Sequence, residues 1–240
     1  MASLVHPSMS DPGRACEAKA VFKPYVTAVV FVVTAVPSLL QFALPGLEPA
    51  WMRDPAAISG GEWWRLGTAL VVQDGGVFGV LFNLAFLAVL GYAAERAFGP
   101  GRWLLLYASG AIAGEAAGYL LNDPGAGNSI ALCGLAGALA VAAPGTLERS
   151  LGAFYAVVSG AWALSAFGTV GVVLMVALAA GGFQLVVHRD RVPGPLFPAV
   201  AAVAAVVLCV LPDLHGFALL AGVLAGWAGA YARTTPARTA

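Results

Sequence analysis

Eight apolar stretches carry almost no charge, and that feature most limits what this chain can fold into. They run roughly over 24–43, 70–94, 103–121, 129–143, 151–166, 169–188, 195–210 and 214–232. Segments of this length and polarity read as membrane spans. Inside a bilayer no water is available to satisfy backbone N–H and C=O groups, so each span is expected to be a helix. The breaks between runs have the right chemistry for chain turns: Pro45-Gly46, Gly99-Pro100-Gly101, Pro124-Gly125, Pro144-Gly145, Pro193-Gly194-Pro195 and Pro212. The pair 151–166 and 169–188 reads as a tight hairpin or a more irregular excursion.

Composition agrees. The 240 residues are 60% hydrophobic and 10% charged, against about 25% charged in soluble domains. The chain is therefore expected to be an all-α, polytopic membrane protein. Zero net charge gives no electrostatic ground for a nucleic-acid partner. Cys16, Cys133 and Cys209 are scattered and odd in number, so they make no disulfide framework or CxxC spacing. His6, His188 and His215 are as dispersed, and no zinc motif can be built from them. Neither a metal nor another cofactor is expected. The polar first 23 residues and the roughly 20-residue apolar run after them fit a spanning helix better than a cleaved signal.

Charge asymmetry orients the spans. With the N-terminus in the cytoplasm, Arg14, Lys19, Lys23, Arg96, Arg102, Arg149, Arg189, Arg191, Arg233 and Arg238 all fall inside, and only Arg53 and Arg65 fall outside, in the long first loop. Ten against two fits the positive-inside rule with both termini cytoplasmic. Six spans would satisfy the same rule. The expected organisation is a cytoplasmic tail (1–23), a transmembrane domain (24–232, with an extra hairpin at about 151–188) and a second tail (233–240). The plasma membrane is the expected location.

That orientation puts two chemically interesting residues at one face. Ser129 opens the fourth run on the outer side, and His215 opens the last run on the same side. The two helices would be parallel. One offers a small-residue face of Cys133, Ala136, Gly137 and Ala140, the other Ala218, Gly222 and Gly226, which favours close backbone approach. Alone, Asn128-Ser129 reads as a helix N-cap. Beside an imidazole, the same serine is a candidate nucleophile with its base, and the helix N-terminus would favour a developing oxyanion. His215 alone reads as an interfacial histidine after Pro212-Asp213. Asn83, two turns into its run, is either interhelical glue or an oxyanion donor. Glu115, flanked by Gly110, Gly114 and Gly118, reads as a buried structural acceptor. Trp63-Trp64-Arg65 reads as an aromatic-belt anchor.

In order along the chain, these residues resemble the rhomboid family of intramembrane serine proteases. Gly61-Glu-Trp-Trp-Arg-Leu-Gly-Thr68 resembles the family's tryptophan–arginine stretch. Leu81-Phe-Asn83, Gly91-Tyr-Ala-Ala-Glu95 and Gly99 resemble its Asn…Gly-x-x-x-Glu-x-x-x-Gly pattern. Gly127-Asn-Ser129 with Gly134-Leu-Ala-Gly-Ala138 resembles its nucleophile motif, and His215 with Gly222 its last core helix. The resemblance covers roughly 61–143 and 213–230. It implies a six-helix core with an extra hairpin, the family's fifth and sixth helices falling at 195–210 and 214–232. It also implies a Ser129–His215 dyad with no third carboxylate required. Asn83 and Asn128 would serve the oxyanion and substrate positioning, and transmembrane proteins in the lipid bilayer would be the substrates.

Three positions depart from the family pattern. Gly79 stands where a histidine helps hold the oxyanion, Ile130 where a glycine follows the serine, and Cys133 where an aromatic packs on the catalytic imidazole. A second reading therefore stays open: a rhomboid-like protein that binds transmembrane helices without cutting them. A small transporter ranks last, because mid-span ionisable residues are nearly absent apart from Glu115 and no inverted repeat is evident.

Overall fold

The structure, a computed structural model, describes residues 22–234. His6, Arg14, Cys16, Lys19 and Arg238, and nearly all of both expected tails, lie outside the described residues. Within them the chain is helical: α1 (Tyr25–Leu40), α2 (Leu47–Trp51), α3 (Pro55–Ser59), α4 (Arg65–Thr68), α5 (Gly76–Phe98), α6 (Pro100–Leu120), α7 (Ser129–Ala142), α8 (Thr146–Trp162), α9 (Gly168–Val187), α10 (Leu196–Val210) and α11 (Leu214–Thr234). Each of the eight apolar runs holds one long helix, and the protein is an all-α integral membrane protein. Gly76–Phe98, Gly168–Val187 and Leu214–Tyr231 are long and apolar enough to cross a bilayer by length and composition.

Local boundaries differ where polar residues intervene. The second run was expected from residue 70, but α5 begins at Gly76. Gln73 and Asp74 interrupt the run, and Gly75 turns the chain with φ 74°, a conformation that costs glycine little. Ala69 and Val72 are fully buried below the first loop instead. That loop is itself folded into α2–α4. Arg65 braces it by donating to the Pro49 and Met52 carbonyls and pairing with Glu62 at 2.6 Å. After α8, a 3-10 turn (Ala163–Phe167) leads into α9.

The bundle is organised around α7. Every residue from Ile130 to Ala140 is buried, and small residues make that possible. A Cβ at Gly110 of α6 would lie 2.6 Å from the Gly134 backbone N, and one at Gly137 the same distance from the Leu219 carbonyl of α11. Gly222 meets the Gly134 carbonyl, and Gly226 lies against Ala138. The two helices thus meet as their small residues suggest, but α7 uses Gly134, Gly137 and Ala138. Ala136 and Ala140 face Gly152 of α8, and Cys133 faces Ser159 of α8, because neighbours surround α7 on all sides.

Of the two helices in the expected extra hairpin, α8 packs directly on α7, while α9 lies outside it. In α9 only Gly171 and Gly182 are buried, the latter against Val157 of α8. At the other side of the bundle, Glu95 of α5 accepts from the Val26 and Thr27 N–H groups at 3.0 and 2.7 Å. A helix start has free N–H donors and partial positive charge, so Glu95 caps α1.

Candidate active site

The fourteen residues of α7 reach about 21 Å at 1.5 Å per residue, short of the roughly 30 Å hydrocarbon core. Ser129 at its N-terminus opens onto a partly enclosed cavity. The cavity measures about 250 Å³ and is lined by residues of the first loop, α5, α7, α8 and the start of α11, among them Arg53, Asn83, Ser129, Tyr155, Trp162 and His215.

Ser129 and His215 meet directly. Ser129 Oγ lies 2.8 Å from His215 Nε2, across 86 residues of sequence. The close α7–α11 packing brings these first-turn residues together. The other ring nitrogen, Nδ1, lies 2.8 Å from Asp213 Oδ1, and the same oxygen accepts the His215 backbone N–H at 2.8 Å. Burial works against ionisation of Asp213, but the hydrogen bonds and charge of His215 outweigh it and hold the carboxyl below its ordinary value. Asp74 borders the same cavity. Crowding by protein raises its carboxyl above the ordinary value, with Asp123 adding to the effect and the Ala126 N–H, His215 and Arg53 opposing it.

The loop before the serine is held from several directions. Arg53, 4% exposed, exchanges backbone hydrogen bonds with Gly125. Its Nε donates to the Asp123 carbonyl at 2.8 Å, and Nη1 pairs with Glu115 at 3.2 Å. Glu115 thus has an ionic partner in the first loop, beyond the acceptor role expected of it. Gln73 forms the next layer. Its Oε1 accepts from Asn83 Nδ2 at 2.7 Å and from the Asn128 N–H at 3.3 Å. Gln41, at the end of α1, fixes Gln73 through both of its backbone groups, at 3.0 and 2.7 Å. Asn83 consequently faces the cavity with an oriented amide. Asn128 does not join it: its side chain is fully buried and lies beside the Tyr107 hydroxyl.

The three departures each have a local reason. A Cβ at Gly79 would collide with the Asp74 carbonyl, so the tight turn into α5 excludes any side chain there. Ile130 is 1% exposed and fills the notch at Gly114 of α6, where a Cβ would come within 2.6 Å of it. Cys133 is turned to Ser159, 3.6 Å away. An aromatic side chain arrives from α8 instead: Tyr155 lines the cavity, and its hydroxyl donates to the Ser129 carbonyl at 3.4 Å. Phe78, Phe82 and Trp162 stack along one wall, with centroids 5.9–6.0 Å apart.

A family model for the Rhomboid domain matches residues 60–235. The chain belongs to the rhomboid family. Two curated relatives are from Bacillus subtilis (strain 168). The rhomboid protease GluP is 40% identical over 88 residues, which is 36% of this chain and 17% of the relative. The putative rhomboid protease YdcA is 34% identical over 106 residues, 41% of this chain and 53% of the relative. The matched stretches thus cover less than two thirds of either relative. In this rhomboid, sequence reasoning singled out Ser129, His215 and Asn83, which share the cavity, and Asn128, which does not. It missed Asp213, Gln73, Gln41 and Tyr155. An aspartate two residues before a histidine at a helix start is a legible cap; nothing in the sequence marks the other three.

Proposed function

We propose that this rhomboid is an intramembrane serine endopeptidase that cleaves transmembrane proteins near the outer membrane face. The observation that carries the reading is the 2.8 Å contact between Ser129 Oγ and His215 Nε2 at the floor of a partly enclosed cavity. A nucleophile and its base need such reach. Ser129 Oγ would attack the scissile carbonyl carbon while its proton passes to His215 Nε2. The oxyanion would lie at the N-terminus of α7, near the Ser129 N–H and the Asn83 amide, where free N–H groups and the helix dipole favour negative charge. When the C–N bond breaks, the leaving amine takes the proton from Nε2. Water, deprotonated by the same nitrogen, then attacks the acyl carbon, and the Oγ–carbon bond breaks as Nε2 returns that proton to Ser129 Oγ. The stacked aromatic wall suits an apolar substrate segment unwound beside a polar floor. The orientation, with both termini in the cytoplasm of a plasma-membrane protein, rests on the charge asymmetry of the loops.

One observation favours a non-cutting, helix-binding reading: position 79 holds no side chain to donate to the oxyanion. A fluorophosphonate probe separates the two. Catalysis predicts labelling of the wild-type protein in detergent micelles, none for Ser129→Ala, and a labelling rate about 100–10,000-fold lower for His215→Ala. Folded wild-type protein that takes no label and cleaves no single-span test protein in liposomes would leave only the helix-binding reading.

A further inference from the structure

We propose that Asp213 is a positioning residue for this site, its carboxylate holding the Nδ1 proton of His215 so that Nε2 faces Ser129 as the base. The inference rests on the Ser129–His215 reading above and adds a third member to a pair that was expected to work alone.

The argument is geometric. A neutral imidazole carries one proton, and the partner of one ring nitrogen decides the role of the other. His215 Nε2 can accept from Ser129 only in the tautomer protonated at Nδ1. Asp213 Oδ1 lies 2.8 Å from Nδ1 and, as a carboxylate oxygen, can only accept, so it selects that tautomer. The same oxygen accepts the His215 backbone N–H. Two bonds to one residue fix both the ring and the turn that carries it. Asp213, His215 and Ser129 thus lie in a line, with both links at 2.8 Å.

The proton balance is closed. Formation of the Oγ–carbon bond moves the Oγ proton to Nε2, and the imidazolium then carries a proton on each nitrogen. Asp213 stays a carboxylate throughout, facing that cation. Breaking the C–N bond returns the Nε2 proton to the leaving amine, and the Nδ1 proton never leaves.

The competing role for Asp213 is a helix cap and nothing more. Glycine at a helix N-cap costs only a few tenths of a kcal/mol and offers no side-chain acceptor, so Asp213→Gly separates the two. The full chain in detergent micelles is compared with the variant by fluorophosphonate labelling over a range of probe concentrations. Where an orienting aspartate is deeply buried, its amide costs about 10⁴-fold in rate. Asp213 is 27% exposed, so a loss of about 10–100-fold in maximal labelling rate is expected. The half-saturating probe concentration and the melting temperature should stay at wild-type values. A second readout needs no activity: in the ¹⁵N-histidine spectrum the downfield Nδ1–H resonance of His215 should persist in Ser129→Ala and be lost in Asp213→Gly. If Asp213→Gly fails to fold, Asp213→Ala, which also lacks an acceptor, takes its place. Wild-type labelling and an unchanged Nδ1–H signal in a folded variant would overturn the proposal while leaving the dyad standing. Full labelling of Ser129→Ala would sink the dyad itself, whatever Asp213 does.

Discussion

Helices α7 and α9 are both strongly apolar, yet they occupy opposite situations. In α7 eleven consecutive residues are buried; in α9, which is longer, only Gly171 and Gly182 are. Hydrophobicity does not separate them, since lipid and protein interior are alike to an apolar side chain. Placement of small residues does. The glycines of α7 lie where another helix backbone touches them, whereas Gly181 of α9 has open space around it. A central membrane helix is therefore recognised by what its neighbours could not tolerate if it were larger.

Two substitutions would break or sharpen that contrast, and an ion-pair series beside the site ranks between them. The largest effect is expected for Gly222→Leu. A side chain there meets the Gly134 carbonyl, and no rotamer change can relieve a clash with backbone. Extra methylenes in a packed core typically cost about 1–3 kcal/mol and occasionally more; a whole leucine side chain against backbone goes beyond that range, and we expect loss of the monodisperse folded protein, read by size exclusion and thermal melting in detergent. Retention of the wild-type melting temperature would mean that α7 and α11 are less tightly apposed than the contact requires.

Next comes Arg53→Met, which removes the partner of buried Glu115 and the tie to the Asp123 carbonyl. Breaking a buried ion pair on one side costs about 3–5 kcal/mol. The double variant Arg53→Met/Glu115→Leu should recover much of that stability, because apolar replacement of both partners is often neutral. Denaturant titration of the wild type, the single and the double variant gives the answer; equal losses in single and double variants would show that the carbonyl contact, and not the ion pair, matters. The smallest effect is expected for Gly181→Leu in α9, a shift within about 0.5 kcal/mol. A loss comparable to that of Gly222→Leu would erase the distinction between the two helices.

The eight long helices were legible because each apolar run ends at glycine, proline or charge. The meeting of Ser129 with His215 was legible through parity of the spans and the small residues on both helices. The start of α5 was not: Leu70, Val71 and Val72 continue the apolar pattern, and the helix waits for the turn at Gly75. The side chain of Asn128 was unreadable for a related reason. As the residue before a helix it has a predictable backbone, but its side chain is buried beside Tyr107 of a different helix. Gln73 and Gln41 were invisible, since an amide in an apolar run carries no mark of the partner it will find. Arg53 and Glu115 were each noticed, but nothing in the sequence links two charges 62 positions apart. Asp213 was readable as a cap and unreadable as a neighbour of Nδ1, because that depends on the ring's orientation over the cavity.

The fit of Ile130 into the notch at Gly114 has a consequence for how such chains are recognised. Bulk added after the serine is accommodated by bulk withheld on α6, so the two positions form one exchangeable volume split between helices. Substitutions at one should be tolerated only with matching changes at the other. A search pattern that insists on glycine after the serine would discard chains of this kind, although what it tests there is a shared space and not a reacting group.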